Sequence, residues 1–311
     1  MTKNKIYIIG TGAIGMALAV FLKLAGKEVT LIRGSVDNES PKTQKLKVET
    51  EKKVYKANIT VATLSNFENL DGIVVLANKS YGNEQLAIAL QNKIGYSPIV
   101  LLQNGLGIEK PFLIEQYKEI YRCVLFLSCQ LTAADTVRFK PMITCPIGIE
   151  KGDSHALDSI VDALNTEKFI FRSEVNIQEI IWKKAIANVV FNSICPLLNV
   201  DNGIFKRDQL ALELARRVIS ECIVVAKKKS ITISEKEVEE SVLMISSSSD
   251  GQLISTLQDL IQNRPTEIET LNFEIVRTAE QLGIGDELQA TRLLGELIKI
   301  KSSQNLHTFQ S

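Results

Sequence analysis

Three polar side chains stand four residues apart in an otherwise apolar run: Lys184, Asn188 and Asn192 within IIWKKAIANVVFNSICPLL, residues 180–198. On a helix each step of four drifts only about 40°, so the three stack along one face. Ala185, Ile186, Val189, Val190, Phe191 and Ile194 cover the other sides, which marks a buried helix. A polar stripe on a buried helix is either satisfied within the protein or lines a polar cavity. A network of buried amides accounts for the asparagines. A buried lysine needs more, because an unpaired ammonium is costly to bury and requires a carboxylate partner or an anionic ligand. Such an ammonium can stabilise, then protonate, an oxygen on which negative charge grows.

A second constellation lies near the start of the chain. Gly10, Gly12 and Gly15 form GxGxxG, directly between the apolar run KIYII and a helical stretch. Gly10 lets the chain turn, Gly12 lets backbone approach a pyrophosphate, and Gly15 lets helix and strand pack closely; the helix N-terminus attracts the phosphate charge. At the end of the next strand, where an acid would hold the ribose diol of NAD, the chain has Arg33 followed by Gly34 and Ser35. An arginine there can pair with a 2′-phosphate, which favours NADP (NADPH) over NAD; the plain alternative is an exposed surface arginine.

Further candidates follow the same logic. Lys79 comes just past the apolar run at 73–77, and Asn104 just past the one at 98–102, within QNGLG. Ligands of open parallel sheets bind beyond the carboxyl ends of strands, so both point toward a ligand, although a solvated loop lysine and a turn residue before Gly105 explain them as well. Pro265 reads as the first position of a helix, with Glu267 and Glu269 in its opening turn. Either acid could partner Lys184, but on pattern alone both are dipole-stabilising surface residues. Ser255 begins another helical segment after the loop of Ser246–Ser249, Asp250 and Gly251, and a simple N-cap would explain it.

These residues need elements to hold them. KIYII, the glycine turn, a helix from Ala13 to Leu24 and the run at 28–32 make one βαβ unit. The runs at 73–77 and 98–102 alternate with helical segments at about 83–93 and 107–117, as in a parallel doubly wound sheet, and residues 120–149 read as antiparallel strands added to it. After about residue 173 helical periods take over, at 175–195, 207–229, 235–245, 266–282 and 286–301. The expected α/β fold is therefore an N-terminal Rossmann-like doubly wound sheet over 1–173, binding NADP, and a C-terminal all-helical substrate and catalytic domain over 174–311. With no Pro/Gly-rich linker near the boundary, a cleft between the halves is the default binding site.

Composition narrows the functions. The chain has 311 residues, 45% of them apolar, and 36 basic residues against 36 acidic ones, so no global field attracts nucleic acid or an anionic membrane. Five cysteines without a CxxC pair suit a reducing, cytoplasmic setting. The two histidines, His155 and His307, leave little for His-based nucleophile schemes or His-rich zinc sites, and no metal site is expected. Lys3 to Leu22 imitates a leader peptide, but three glycines interrupt it, and no stretch approaches the ~18 apolar residues of a membrane span.

Together the motifs resemble the ketopantoate reductase (2-dehydropantoate 2-reductase) family along nearly the whole chain. The resemblance is carried by GTGAIG, Arg33, NKS around Lys79, QNGLG around Asn104, WKKAIANVVFN over 182–192 and STLQDLIQNRPTEIETLN over 255–272. It implies NADPH-dependent reduction of a 2-keto acid, with Lys184 as general acid and Glu267 as its catalytic and substrate-binding partner. It implies that Asn188, Asn192 and Ser255 hold the substrate, and that Lys79 and Asn104 work where nicotinamide and substrate meet, Asn104 touching both. Some members carry an asparagine three residues before Ser255, where this chain has Gln252, a side chain one methylene longer. Expected partners are small molecules, with neither nucleic acid nor membrane; the oligomeric state stays open, a homodimer included. Other readings are a family homologue reducing a different 2-keto acid, a related two-domain dehydrogenase acting on opines or other hydroxy acids, and an NADP-binding sensor without catalysis.

Overall fold

The structure, a computed structural model, describes residues 5–34 and 39–307, with backbone alone for 305–307. Lys3, Ser35 and the side chain of His307 thus lie outside the described residues. The chain forms two compact units, one comprising Met1–Asn104 with Ile108–Ile177, the other Gly105–Gly107 with Gln178–Ser311.

The first unit contains β1 (Lys5–Ile9), α1 (Ala13–Leu24), β2 (Glu28–Arg33), β3 (Lys42–Glu49), β4 (Val54–Thr63), β5 (Ile73–Leu76), α2 (Asn83–Ile94), β6 (Ile99–Leu101), α3 (Lys110–Ile114), β7 (Ile120–Cys123), β8 (Leu127–Ala133), β9 (Thr136–Pro141), β10 (Cys145–Lys151), α4 (Ser154–Leu164) and β11 (Phe171–Ser173). All eleven strands share one sheet, ordered β11-β10-β7-β6-β5-β1-β2-β4-β3-β9-β8. Its middle six, β4-β2-β1-β5-β6-β7, are parallel throughout, the strand order of a dinucleotide-binding Rossmann sheet. β5 and β6 are buried along their whole length, as strands covered on both faces must be. Leu18, Val20 and Phe21 of α1 pack into the core on one face, and Ala87 and Leu90 of α2 with Phe112 of α3 into the core on the other.

Three details of this unit differ from expectation. The strands at 120–149 do not form one antiparallel addition: β7 extends the parallel row, β10 runs antiparallel beside it, and β8 and β9 pair at the opposite edge. The helix expected over 107–117 shrinks to five residues, Lys110–Ile114, because Gly105–Gly107 belongs to the other unit, where the Leu106 amide donates to the Thr270 carbonyl at 2.8 Å. Finally, β3 and β4 were not foreseen. The lysines of KTQKLKVE give it a half-exposed pattern in which Leu46 and Val48 alone are buried.

Among the described residues the second unit is built of helices and loops without a strand: α5 (Ile177–Leu198), α6 (Ile204–Arg207), α7 (Gln209–Lys228), α8 (Glu235–Ser248), α9 (Ser255–Ile261), α10 (Asn272–Gln281) and α11 (Gln289–His307). Side chains cap helices across the bundle. Glu221 of α7 accepts from the Ala290 and Thr291 amides at 2.8 Å each and so satisfies the start of α11. The helix expected to begin at Pro265 does not. Pro265 lies in a loop, Ile268–Thr270 makes one short 3₁₀ turn, and α10 starts only at Asn272. The Thr270 carbonyl takes the Leu106 amide instead of feeding a continuous helix, and Leu271, at φ −112° and ψ −101°, breaks the path.

Candidate active site

In the sheet unit the glycine turn closes the end of β1. The Gly10 amide donates to Ile32 of β2 at 2.8 Å, and the Ala77 amide after β5 donates to Ile9 at 2.8 Å, so the turn is held from both neighbouring strands. Gly10 adopts φ +121°, and a Cβ there would meet the Asn78 nitrogen at 2.5 Å. A Cβ on Gly15 would lie 2.0 Å from the Gly10 carbonyl oxygen, so only glycine lets α1 pack this closely on the turn. Gly12 is different: a Cβ there would meet nothing within 4 Å. Gly12 is also the N-cap of α1, and among the described residues no side chain caps the first α1 amides. Open space over unclaimed amides at a helix start fits the pyrophosphate of a dinucleotide.

Arg33 ends β2, level with Thr63 at the end of β4, and its Nη1 lies 2.8 Å from Glu39 Oε2. Lys79 is half-buried at the start of the 3₁₀ turn Ser80–Gly82, where Asn78 Nδ2 donates to its carbonyl at 2.9 Å. Asn104 is exposed beyond β6. The loop that presents it is braced by side chains the sequence reading passed over. Asn83 and Gln103 exchange amide hydrogen bonds at 2.9 and 2.7 Å, Asn83 also donates to the Ile108 carbonyl at 2.9 Å, and buried Arg122 pairs with Glu109. Nothing local marks these four as a set, since 20 residues separate Asn83 from Gln103.

In the helical unit the stripe on α5 forms as its spacing predicts. Lys184 and Asn188 are half-buried and Asn192 is 3% exposed, so the stripe descends into the core. The two asparagines then part company. Asn192 Nδ2 donates to the Asn188 carbonyl at 2.9 Å, while its Oδ1 accepts from Ser255 Oγ at 3.2 Å, Thr256 Oγ1 at 2.7 Å and the Thr256 amide at 3.3 Å. Asn192 therefore ties α5 to the first turn of α9. The Asn188 side chain makes no hydrogen bond among the described residues and keeps its donors and acceptor available. Ser255 is the first residue of α9, not its N-cap, and is exposed. Thr256, adjacent to a predicted site residue, was overlooked. Glu267 is half-buried, one residue before the short 3₁₀ turn whose Thr270 packs against Gly105. Gln252 projects an exposed side chain, and its carbonyl takes the Asn202 amide at 2.9 Å.

Other chemistries find little support here. Burial pushes the thiols of Cys129, Cys195 and Cys222 up to about 12, so none is a thiolate nucleophile at neutral pH. Among the described residues no three His, Cys, Asp or Glu side chains group as metal ligands, and no helix is long and apolar enough to cross a membrane.

Two family models match the chain, "Ketopantoate reductase PanE/ApbA" over residues 6–149 and "Ketopantoate reductase PanE/ApbA C terminal" over residues 176–302. The chain belongs to the ketopantoate reductase family. It is thereby an oxidoreductase of the NADP-dependent, 2-dehydropantoate 2-reductase type. A 2-dehydropantoate 2-reductase of Pyrococcus abyssi is 27% identical over 96% of this chain and 98% of its own, and one of Streptococcus pyogenes 24% identical over 96% and 98%. A dimeric ketopantoate reductase of Staphylococcus aureus shares the fold at TM-score 0.81 and 20% identity, over 97% of this chain and 99% of its own. D-mandelate dehydrogenase, solved with NADH and anilino(oxo)acetate, shares it at TM-score 0.84 and 23% identity, again over 97% and 99%. The ketopantoate reductase fold thus also carries an enzyme named for an aromatic 2-hydroxy acid.

Proposed function

We propose that this chain reduces the C2 carbonyl of 2-dehydropantoate to pantoate with NADPH, a step of pantothenate and coenzyme A synthesis. The observation that carries the reading is the α5 stripe, in which a half-buried ammonium and an available amide stand on one face beside a serine locked in place from α9. In this reading residues 1–173 bind NADP and residues 174–311 bind substrate and hold the catalytic side chains. The proposed setting is the cytoplasm, the partners small molecules, and the assembly a homodimer like the Staphylococcus aureus reductase.

When bound, NADPH supplies a hydride to the carbonyl carbon. Gly10, Gly12 and Gly15 and the start of α1 hold its pyrophosphate, Arg33 its 2′-phosphate, and Lys79 and Asn104 its nicotinamide end, where Asn104 also meets the substrate. As the carbon gains the hydride, the oxygen gains negative charge, and Lys184 Nζ stabilises and then protonates it, completing the alcohol. Glu267 favours the charged ammonium before transfer. Asn188 orients the substrate carboxylate as a neutral donor, and Ser255, whose one hydroxyl proton goes to Asn192, accepts from the substrate hydroxyl while Asn192 fixes it between α5 and α9. Asn192 thus serves the substrate through Ser255, its own carbonyl oxygen being taken by three protein donors.

NADPH oxidation followed against 2-dehydropantoate and a panel of other 2-keto acids, aromatic ones included, tests this. The expected outcome is the highest kcat/KM for 2-dehydropantoate. A clear preference for another 2-keto acid would reassign the substrate, a reading that Gln252 beside Ser255 and the D-mandelate dehydrogenase fold favour. No oxidation with any of them would leave the reading as an NADP-binding sensor.

A further inference from the structure

We infer that Glu39 sets this chain's preference between NADPH and NADH by acting as a built-in anion in the 2′-phosphate position, an inference that rests on the reading of Arg33 above. The strand register brings the parts together. β2 and β4 end side by side with Arg33 opposite Thr63, and β3 runs back from that edge, so its first residue Lys42 pairs with Val61 at the same carboxyl end of the sheet. Glu39 enters just before it. One carboxylate oxygen, Glu39 Oε2, lies 2.8 Å from Arg33 Nη1 and 3.5 Å from Lys42 Nζ. Arg33, Glu39, Ser40, Lys42 and Thr63 line a small notch there.

An oxygen anion shared by a guanidinium and an ammonium is the arrangement that a phosphate oxygen would take. The side chains of Glu39 and Lys42 are 40% and 62% exposed, so both can rotate into water, and an ion pair so exposed adds little to folding. Its larger consequence is competition. A 2′-phosphate must displace the Glu39 carboxylate from Arg33 and then remains near a like charge, whereas the neutral 2′-hydroxyl of NADH meets no such opposition. Lys42 is a second cation for the phosphate once Glu39 has swung away.

Isothermal titration of the protein with NADPH and with NADH, without substrate, tests the inference on wild type, Glu39→Gln, Lys42→Gln and Arg33→Ala. Glu39→Gln is expected to tighten NADPH about tenfold, and Lys42→Gln to weaken it about fivefold, with NADH changing less than about twofold in both. Melting temperatures of all variants are expected to match wild type, because the pair is a surface one. Unchanged or weaker NADPH binding by Glu39→Gln overturns the inference, as does a parallel loss of NADH affinity, which would make Glu39 a ribose ligand. If Arg33→Ala weakens NADPH while Glu39→Gln does not tighten it, the role of Glu39 alone falls. If Arg33→Ala leaves NADPH affinity unchanged, the 2′-phosphate reading falls with it.

Discussion

The glycine turn before α1 and the polar stripe on α5 are encoded in opposite ways. The turn is local, with six consecutive residues supplying its backbone and two backbone hydrogen bonds, Gly10 to Ile32 and Ala77 to Ile9, tying it to the neighbouring strands. The stripe is half of a site. Asn192 finds Ser255 and Thr256 at 63 and 64 residues' distance, so that geometry exists only when α9 has docked. A local site fails by steric collision, whereas an assembled one fails by losing a partner, and the two failures have different signatures in stability and in kinetics.

The largest effect is expected within the turn itself. Gly15→Ala puts a methyl 2.0 Å from a backbone oxygen that no rotamer change can move, and is expected to destabilise the protein by roughly 3 kcal/mol, read as a lower melting temperature. Gly12→Ala meets nothing within 4 Å and should melt like wild type, yet lose about tenfold or more in NADPH affinity, because its methyl enters the space kept for the pyrophosphate. Equal melting and equal binding in both variants would mean that the turn cradles no dinucleotide.

In the helical unit, Lys184→Ala is expected to lower kcat by ~10² or more with NADPH affinity unchanged, since the amine acts on the reacting oxygen and not on the cofactor. Single-turnover measurements at saturating NADPH check it. Near-normal turnover on the best substrate would remove the lysine from the chemistry.

The neighbouring asparagines should separate cleanly. Asn192→Ala strips the Thr256 donors of their buried acceptor and is expected to cost about 2 kcal/mol in urea-induced unfolding, with a loss of activity that follows from a displaced Ser255. Asn188→Ala removes a side chain with no hydrogen bond among the described residues, so stability should stay within about 0.5 kcal/mol while KM for the keto acid rises about tenfold. A KM increase in the first variant alone would exchange their roles.

How much of this could be read from the chain follows the same division. The strand, glycine turn, helix and strand over residues 5–33 were legible because each element declares itself within a few residues. The spacing of Lys184, Asn188 and Asn192 likewise sufficed to place them on one face. Their different employment was not legible, since two asparagines at equal spacing look alike until α9 claims one. The false helix start at Pro265 had a local cause, a proline followed by acids, and was overridden by the Leu106 amide binding Thr270. β3 escaped notice because its lysines mask a pattern in which only Leu46 and Val48 are buried.

At neutral pH the smallest effect concerns side chains that both regions leave out of their chemistry. Cys129, whose thiol donates to the Ala13 carbonyl at 3.2 Å beside the glycine turn, and Cys195 and Cys222 in the helical unit are all raised from 9.0 to about 12, with burial the main cause. At pH 7 to 8 the thiols are neutral in both folded and unfolded chains, so no stability change is expected there, and iodoacetamide should label the buried Cys195 and Cys222 only in denaturant. Above about pH 9 the unfolded chain gives up these protons and the folded chain retains them. The stability they contribute is therefore complete below pH 9 and is lost progressively toward pH 12, at about 1.4 kcal/mol per pH unit for each thiol. Cys222→Ala should flatten that alkaline decline by one thiol's share in urea titrations between pH 9 and 11. An unchanged slope would mean that the thiol ionises as readily folded as unfolded, and that the interior between α7 and α11 admits water.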